Sequence, residues 1–418
     1  MTSTAVPDNA FDLGETADYE TLAARFRPIF ERIKAGAVQR ERDRALPFEQ
    51  IEWLKQARFG AVRFPVSAGG HGASIPQLTR LLIELSTADS NITQALRGHF
   101  AFAEDRLVAP PGPGRDAWWA RFAAGEIAGN AWSEIGDVLL GETNTKVTPG
   151  EQPGTFYVSG QKYYSTGSIF ADWVDLYAQR VDTGEFVIAA VDARDQGVTH
   201  FDDWDGFGQR TTGSGTSTYD RVPVPEENLI PFDTRFRYQT AFYQLFHLAT
   251  LAGIAHAAAD ELAARVRART RTFSHGNAPT YAQDPQIQQV VGEVTAAAFA
   301  AEAIALRAAE DVQRAYEAAL ADDPERDRQA NIAAELATGK GQVVATNLVV
   351  QATSKLFDAL GASGVRADAG LDRFWRNART VSSHNPTVFK AKVIGDNAIN
   401  GTEPVYVWAI GTSPQAGR

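Results

Sequence analysis

The sequence predicts an α+β fold in three parts: an N-terminal helical domain, a central antiparallel β-barrel or sandwich, and a C-terminal helical bundle. Two changes of composition predict it. Up to about Ala124, apolar residues recur at spacings of three and four, the period of a helix face. From about Gly125 to Pro231, short β-branched and aromatic runs alternate with Gly, Pro and Asp, and from about Arg235 the chain is Ala-rich and helical again. The expected domains are residues 15–124, 125–232 and 233–418.

Each element has its own signal. Leu22, Phe26, Ile29, Phe30 and Ile33 mark one helix face, and Ile51, Leu54 and Phe59 mark another after Pro47, which suits a helix start. The charges between Glu31 and Arg44 read as a solvated helix face. Phe64-Pro65 followed by Gly69, Gly70 and Gly72 breaks the helices, as does the Pro/Gly run from Pro110 to Gly114. Thr155–Gly160, Trp173–Arg180 and Glu185–Asp192 read as strands, and a last strand, Thr216–Val224, follows a loop holding Gly206, Gly208, Gly213 and Gly215. In the C-terminal part, Asp322-Asp323-Pro324 separates two long helices. Ala345, Leu348, Ala352, Leu356 and Ala359 share a face of the second, and Gly361 is placed to end it.

Composition removes several functions. The 40 basic and 51 acidic residues give a net charge of −11, against a nucleic-acid surface. With 0 cysteines there is no disulfide, thiolate metal site, iron–sulfur cluster or Cys nucleophile. No unbroken apolar run approaches membrane-spanning length, and Met1–Gly14 lacks the basic start and apolar stretch of a secretory signal, so the expected location is the cytoplasm, with no membrane partner. Gly339-Lys340-Gly341-Gln342 is not a P-loop, and neither a strand-to-helix G-x-G-x-x-G nor a G-x-S-x-G is present. The seven histidines form no H-x-x-x-H pair, so no metal site is expected.

The helical–β–helical order and several local motifs resemble the acyl-CoA dehydrogenase superfamily. Phe64-Pro65-x-x-x-Gly69-Gly70-x-Gly72 is similar to its turn after the second helix. Ala131-Trp132-Ser133-Glu134 resembles the segment that opens the β domain beside the flavin. Gly160-Gln161-Lys162-Tyr163-Tyr164-Ser165-Thr166-Gly167 resembles its G-x-K-x-W-I-T segment, and Arg221-Val222-Pro223-Val224-Pro225 the end of its last strand. Within the superfamily, Gly129-Asn130-Ala131-x-Ser133-Glu134, Asp202-Asp203-Trp204, Gly253-Ile254-Ala255-His256, Asp372-Arg373-Phe374-Trp375-Arg376-Asn377 and the segment through His384-x-Pro386 resemble the flavin-dependent monooxygenase branch, that of the dibenzothiophene monooxygenases. A dehydrogenase also needs a carboxylate base. The superfamily's usual Glu-Gly-Thr reads Asn400-Gly401-Thr402 here, and Phe242–Phe246 supplies no carboxylate at its second location.

The resemblance implies a two-component enzyme. A separate NAD(P)H:flavin reductase would deliver reduced FMN, with FAD the alternative. Oxygen would add at flavin C4a to give a hydroperoxide, which passes one oxygen atom to a small apolar or aromatic substrate of the organosulfur or indole type. It further implies a homotetramer with flavin sites completed across subunits. Carried onto this chain, Asn130 would donate near flavin N5, with Thr166, or failing it Ser165, holding the same region and Ser133 on the opening segment. Tyr164 would stack on the flavin or wall the substrate cavity. His384 would shuttle protons, since an imidazole gives and takes them near neutral pH. Arg271 would grip the flavin phosphate, aided by Ser363, which stands where that branch carries an arginine and so brings less charge. His99, Phe242 and Phe246 are expected at the substrate pocket, with core packing an equal reading for the two phenylalanines, and Trp204 in a mobile lid. The competing readings are an FAD-dependent acyl-CoA dehydrogenase or oxidase and a catalytically silent, ligand-binding member of the fold.

Overall fold

Residues 18–136, 138–139 and 141–406 are described by the structure, a computed structural model. The N-terminal segment Met1–Gly14, the first three residues of the expected first domain, and residues 407–418 of the third lie outside the described residues.

The N-terminal part holds α1 (Tyr19–Ala24), α2 (Arg27–Ala35), α3 (Ala37–Asp43), α4 (Phe48–Gln56), α5 (Ile75–Ala95), α6 (Arg97–Val108) and α7 (Pro113–Ala123). Asp18 caps α1 by accepting the Glu20 and Thr21 N–H groups, and Pro47 precedes α4. The apolar stripe read from the sequence is buried: Phe26 and Phe30 pack edge-on against Phe59, which also meets Phe100. Burying such a side chain is worth about 1.5–3 kcal/mol.

The sheet comprises β1 (Ala128–Ala131), β2 (Lys146–Pro149), β3 (Thr155–Lys162), β4 (Trp173–Arg180), β5 (Phe186–Asp192), β6 (Val198–His200), β7 (Ser217–Pro225) and β8 (Leu229–Pro231). Its order is β6-β7-β3-β2-β4-β5-β8, with β1 also on β4. It is mixed, where an all-antiparallel sheet was expected. Both β1 and β2 run parallel to β4, β1 along Trp173–Leu176 and β2 at Gln179 and Arg180. They line one edge of β4 in tandem, and Ser133 and Glu134 lie outside the strands between them. Short even spacings read equally well as hairpins, so this interruption was hidden. Val147, Val158, Leu176, Val187 and Val222 give the sheet its own apolar core.

The C-terminal bundle is α8 (Gln239–Ala268), α9 (Pro285–Ala319), α10 (Pro324–Leu360), α11 (Asp372–Ser382) and α12 (Thr387–Asn400). Asp323 caps α10, and Gly361 ends it at φ 55°, as its sequence position predicts. On length and composition alone, α9 is apolar enough to cross a membrane, which qualifies the sequence reading of no such run; charged residues such as Glu293 and Glu302 interrupt it, and it packs along α8 and α10. Helices α5 and α8 lie together, where Ser86 donates to Thr250 O and Gly253 leaves no room for a Cβ against Ser86.

One sequence expectation fails here. The charges from Glu31 to Arg44 are not all solvated. Inside α5, Asp89 leaves the helical conformation (φ −159°, ψ 107°) and pairs with Arg40 at 2.9 Å. Glu41 is buried, accepting from Asn91 and from Arg376. A helix-period pattern cannot show which polar stripe will be met by a break in another helix.

Candidate active site

Helix α6 and strand β1 meet where Gly98 stands. A Cβ there would lie 2.3 Å from the Asn130 Cβ, so glycine lets the strand close on the helix. Gly167, at φ 79°, sits equally close to Ala95 O. These contacts place Asn130 beside Arg97: the Arg97 Nη2 donates to Asn130 Oδ1 at 3.2 Å. Arg97 also lies over the Tyr243 ring at 4.8 Å, and that ring meets Trp132 edge-on. Trp132 donates its indole N–H to Asp175 at 2.9 Å and carries the Arg235 guanidinium on its face.

The histidines complete the group. The His247 and His384 rings lie 4.4 Å apart, centre to centre, with Gln94 reaching His247 Nε2 at 3.4 Å. Asn385 holds the junction: its Nδ2 donates to Gln244 and its carbonyl accepts from Gln342. His384 keeps an accessible surface although protein surrounds its ring. Burial first, then the positive Arg97, pulls its pKa down to about 3, and burial with the neighbouring His384 and Arg97 holds His247 well below its ordinary value. Both rings are therefore neutral at pH 7. This differs from the expectation of an imidazole titrating near neutrality.

On the other side of Asn130, Thr166 O accepts the Asn130 N–H, and the Thr166 hydroxyl meets Ser214 Oγ at 2.8 Å, which in turn meets Thr212 Oγ1 at 2.6 Å. Ser165 Oγ is buried without a partner. Tyr164, at φ 62°, projects outward and meets the Trp204 ring edge-on at 5.9 Å. Ser133 accepts the Tyr163 N–H on its carbonyl. Beneath it, burial raises the Glu134 carboxyl but bonds from Lys162 and Thr143 outweigh this and hold it down to about 2, so Glu134 is a fixed anion in an ion pair with Lys162.

Several expected pocket residues lie elsewhere. His99 is in the core, between Phe100 and Phe122. Its Nε2 bonds Gly60 O and its Nδ1 accepts the Ala128 N–H, so it anchors β1 rather than lining a pocket, with burial lowering its pKa to about 4. Phe242 and Phe246 pack inward on Phe236 and Phe100. One position further along α8, Tyr243 meets Arg97 and Trp132 and His247 meets His384, the two sharing a face at the same spacing of four. Trp204 is pinned, not loose: its indole N–H donates to Gly208 O and Gln209 O, and Arg44 bonds its carbonyl. The Asp372–Asn377 motif explains why. Trp375 stacks on Phe207, Arg376 bonds Phe207 O, and Asn377 Oδ1 accepts the Gln209 N–H at 2.6 Å.

A family model, that of the acyl-CoA dehydrogenase C-terminal domain, matches residues 245–389. Dibenzothiophene monooxygenase of Rhodococcus erythropolis is 28% identical, over 94% of this chain and 96% of its own. The probable FMNH2-dependent monooxygenase SfnC of Pseudomonas putida is also 28% identical, over 88% of this chain and 92% of its own. The structure of TdsC from Paenibacillus sp. A11-2 with FMN and indole superposes at a TM-score of 0.84 and 27% identity, covering 93% of this chain and 99% of that one. The chain has the acyl-CoA dehydrogenase-like fold, and residues 245–389 match that family's C-terminal domain.

A second group lies apart from the Asn130 group. Arg271 and Ser363 are both exposed, and Arg271 makes no contact with the Asn130 group. Arg269 rather than Arg271 reaches Ser363, at 3.2 Å, while stacking over Tyr281. The superfamily sequence pattern pointed to Asn130, Thr166 and His384. It did not point to Arg97, Gln94, His247 or Ser214, none of which lies in a motif; Tyr243 belongs to the aromatic helix start, Phe236 to Phe246, that borders the substrate in the superfamily. Gln94 and Arg97 stand among other polar residues, Ser90, Asn91, Thr93 and His99, so nothing in the local sequence singles them out.

Proposed function

We propose that the protein is the oxygenase component of a two-component monooxygenase, using reduced FMN from a separate reductase and O2 to oxygenate a small, largely apolar or aromatic molecule. The observation that carries this reading is the convergence of Asn130, Arg97, His247 and His384 in one enclosed group whose hydrogen bonds, among the described residues, reach no carboxylate. The carboxylate base of an acyl-CoA dehydrogenase is missing from that set.

The residues present fit a flavin. Ser165 Oγ and Ser168 Oγ are buried and unpartnered beside Thr166 and Gly129, and a ring edge rich in hydrogen-bonding atoms would satisfy such groups. Asn130, Ser165, Thr166 and Ser133 would hold the ring, and Tyr164 would cover it. Bound reduced FMN supplies the electrons that activate O2 and transfers one oxygen atom to the substrate. The chain's own residues do the rest. Arg97 fixes the Asn130 amide with Oδ1 toward the cation, which leaves Nδ2 as the donor. Neutral His384, backed by His247, moves protons. Tyr164 and the pinned Trp204 keep water out.

Arg271 and Ser363 in this reading serve a flavin phosphate of a neighbouring copy, in a homotetramer. The open side of α9 and α10 supports that assembly: Phe299 is 71% and Val344 53% exposed in the single chain. A cytoplasmic location goes with dependence on an NAD(P)H-driven reductase. Anaerobic titration with FMNH2 and FADH2, followed by the oxidised forms, tests the cofactor. Tight FMNH2 and weak FMN are expected; stoichiometric FAD retained through purification would restore the dehydrogenase reading.

A further inference from the structure

Arg97 has more charge than the proposed chemistry needs. It is 5% exposed and opens α6, where the helix presents its positive end. Its one side-chain bond goes to the neutral Asn130 amide, and its Nε is enclosed without a partner. The ionisable groups around it do not neutralise it. Asp175 is already bonded to Trp132 and paired with Arg235, Tyr243 offers its ring face, and His247 and His384 are held neutral. Other enclosed arginines of this chain are matched: Arg63 by Glu104 at 2.9 Å, Arg235 by Asp175 at 3.3 Å. A desolvated, unpaired cation is among the most costly groups a fold can carry. Its persistence near His384, which is exposed, points to a partner that arrives from solution.

We propose that Arg97 is an anion-binding residue of the substrate site, taking the carboxylate or sulfinate head of a small organic acid whose apolar body lies against Tyr243 and Trp132. A guanidinium fork matches the paired oxygens of either head group, and the two aromatic side chains supply the apolar wall. Gln94 Oε1 and the Tyr243 hydroxyl, both buried and unpartnered, are further polar atoms of the same lining. The inference deepens the monooxygenase reading and rests on it only for placing the reacting oxygen beside Asn130.

Calorimetric titration of the full chain without flavin tests it, using benzenesulfinate and benzoate against neutral benzamide and indole. Wild type is expected to bind at least one anion tenfold or more tighter than benzamide. Arg97→Gln should lose that preference, with anion affinity falling roughly 10- to 150-fold, the range for a hydrogen bond to a charged group. Arg97→Lys should keep part of it, and circular dichroism confirms that both variants fold. Equal affinity for anions and neutral isosteres, anion binding unchanged in Arg97→Gln, or no binding of either anion to wild type would overturn the proposal. FMNH2-dependent oxygen consumption, measured in parallel, separates the two ideas: its absence with intact anion binding sinks the monooxygenase reading and leaves the anion site standing.

Discussion

Arg63 and Arg97 are both buried in the N-terminal helical part, and their surroundings are opposite. Arg63 meets Glu104 through two nitrogens, at 3.0 and 2.9 Å, and Glu104 also accepts from the Tyr238 hydroxyl. Every partner is a residue of the fold. Arg97 touches only an amide and an aromatic face, with neutral histidines beyond. The difference separates two uses of buried charge. A matched pair holds the helices in register. An unmatched, desolvated cation costs stability and is retained for what it does to a ligand or a reaction.

Substitutions can break that contrast. The largest effect is expected on the unmatched side, in activity. His384→Phe should lower oxygenation about 10²- to 10⁴-fold, the usual worth of an acid–base group, with flavin binding nearly intact. Steady-state turnover against FMNH2 titration checks this, and near wild-type turnover would remove His384 from the mechanism. Next is the matched pair, in stability. Arg63→Met strands Glu104 and should cost about 3–5 kcal/mol in urea unfolding. Arg97→Met strands no carboxylate, so stability should hold or rise while activity falls. Equal destabilisation by the two variants would erase the distinction.

A smaller effect concerns pH. The His99 pKa is lowered in the fold to about 4 by burial, against an ordinary 6.5. The unfolded chain therefore takes up a proton first as pH falls, and the stability contributed by the neutral ring is full above 6.5 and lost progressively down to about 4. His99→Gln, which can still bridge Gly60 and Ala128, should flatten the acid-side loss between those limits by roughly 2–3 kcal/mol. Unfolding curves at several pH values read this directly, and an unchanged slope would show that other groups set it. The smallest effect is expected at the loop that carries Trp204. Asn377→Ala leaves the Gln209 N–H buried and unpaired, worth about 1–3 kcal/mol. More flavin should then be spent on hydrogen peroxide per product formed, and unchanged coupling would show that the loop does not guard the site.

What the sequence disclosed follows from what local pattern encodes. The α2, α4 and α10 helices, the Asp322-Asp323-Pro324 break and the Gly361 stop were readable, because turn signals and periodicity act within a few residues. The parallel pairing of β1 and β2 on β4 was not, since it depends on two strands sharing one edge. At the site, Asn130, Thr166 and His384 were legible through motif resemblance, and the structure gathers Asn130 and His384 around Arg97 and sets Thr166 behind Asn130. Phe242 and Phe246 were one helix position off. Their spacing matched that of Tyr243 and His247, and only the packing of Phe246 on Phe100 decides which face turns inward. His99 was misplaced for a related reason: a lone histidine on a helix carries no sign of whether it meets a cleft or the backbone of a neighbouring strand. Asp372–Asn377 was recognisable as a motif, but its task, pinning the Trp204 loop, appears only in three dimensions.

The central claim is that this chain places one atom of O2 on a substrate by means of reduced flavin. Mass spectrometry of products formed under ¹⁸O2, with reductase-supplied FMNH2 and a panel of sulfinates, sulfides, aromatic acids and indoles, tests it most directly. One ¹⁸O atom per product molecule, formed by wild type and lost in His384→Phe, is the expected result. Products without ¹⁸O, or oxidation of an acyl-CoA by tightly held FAD, would contradict it.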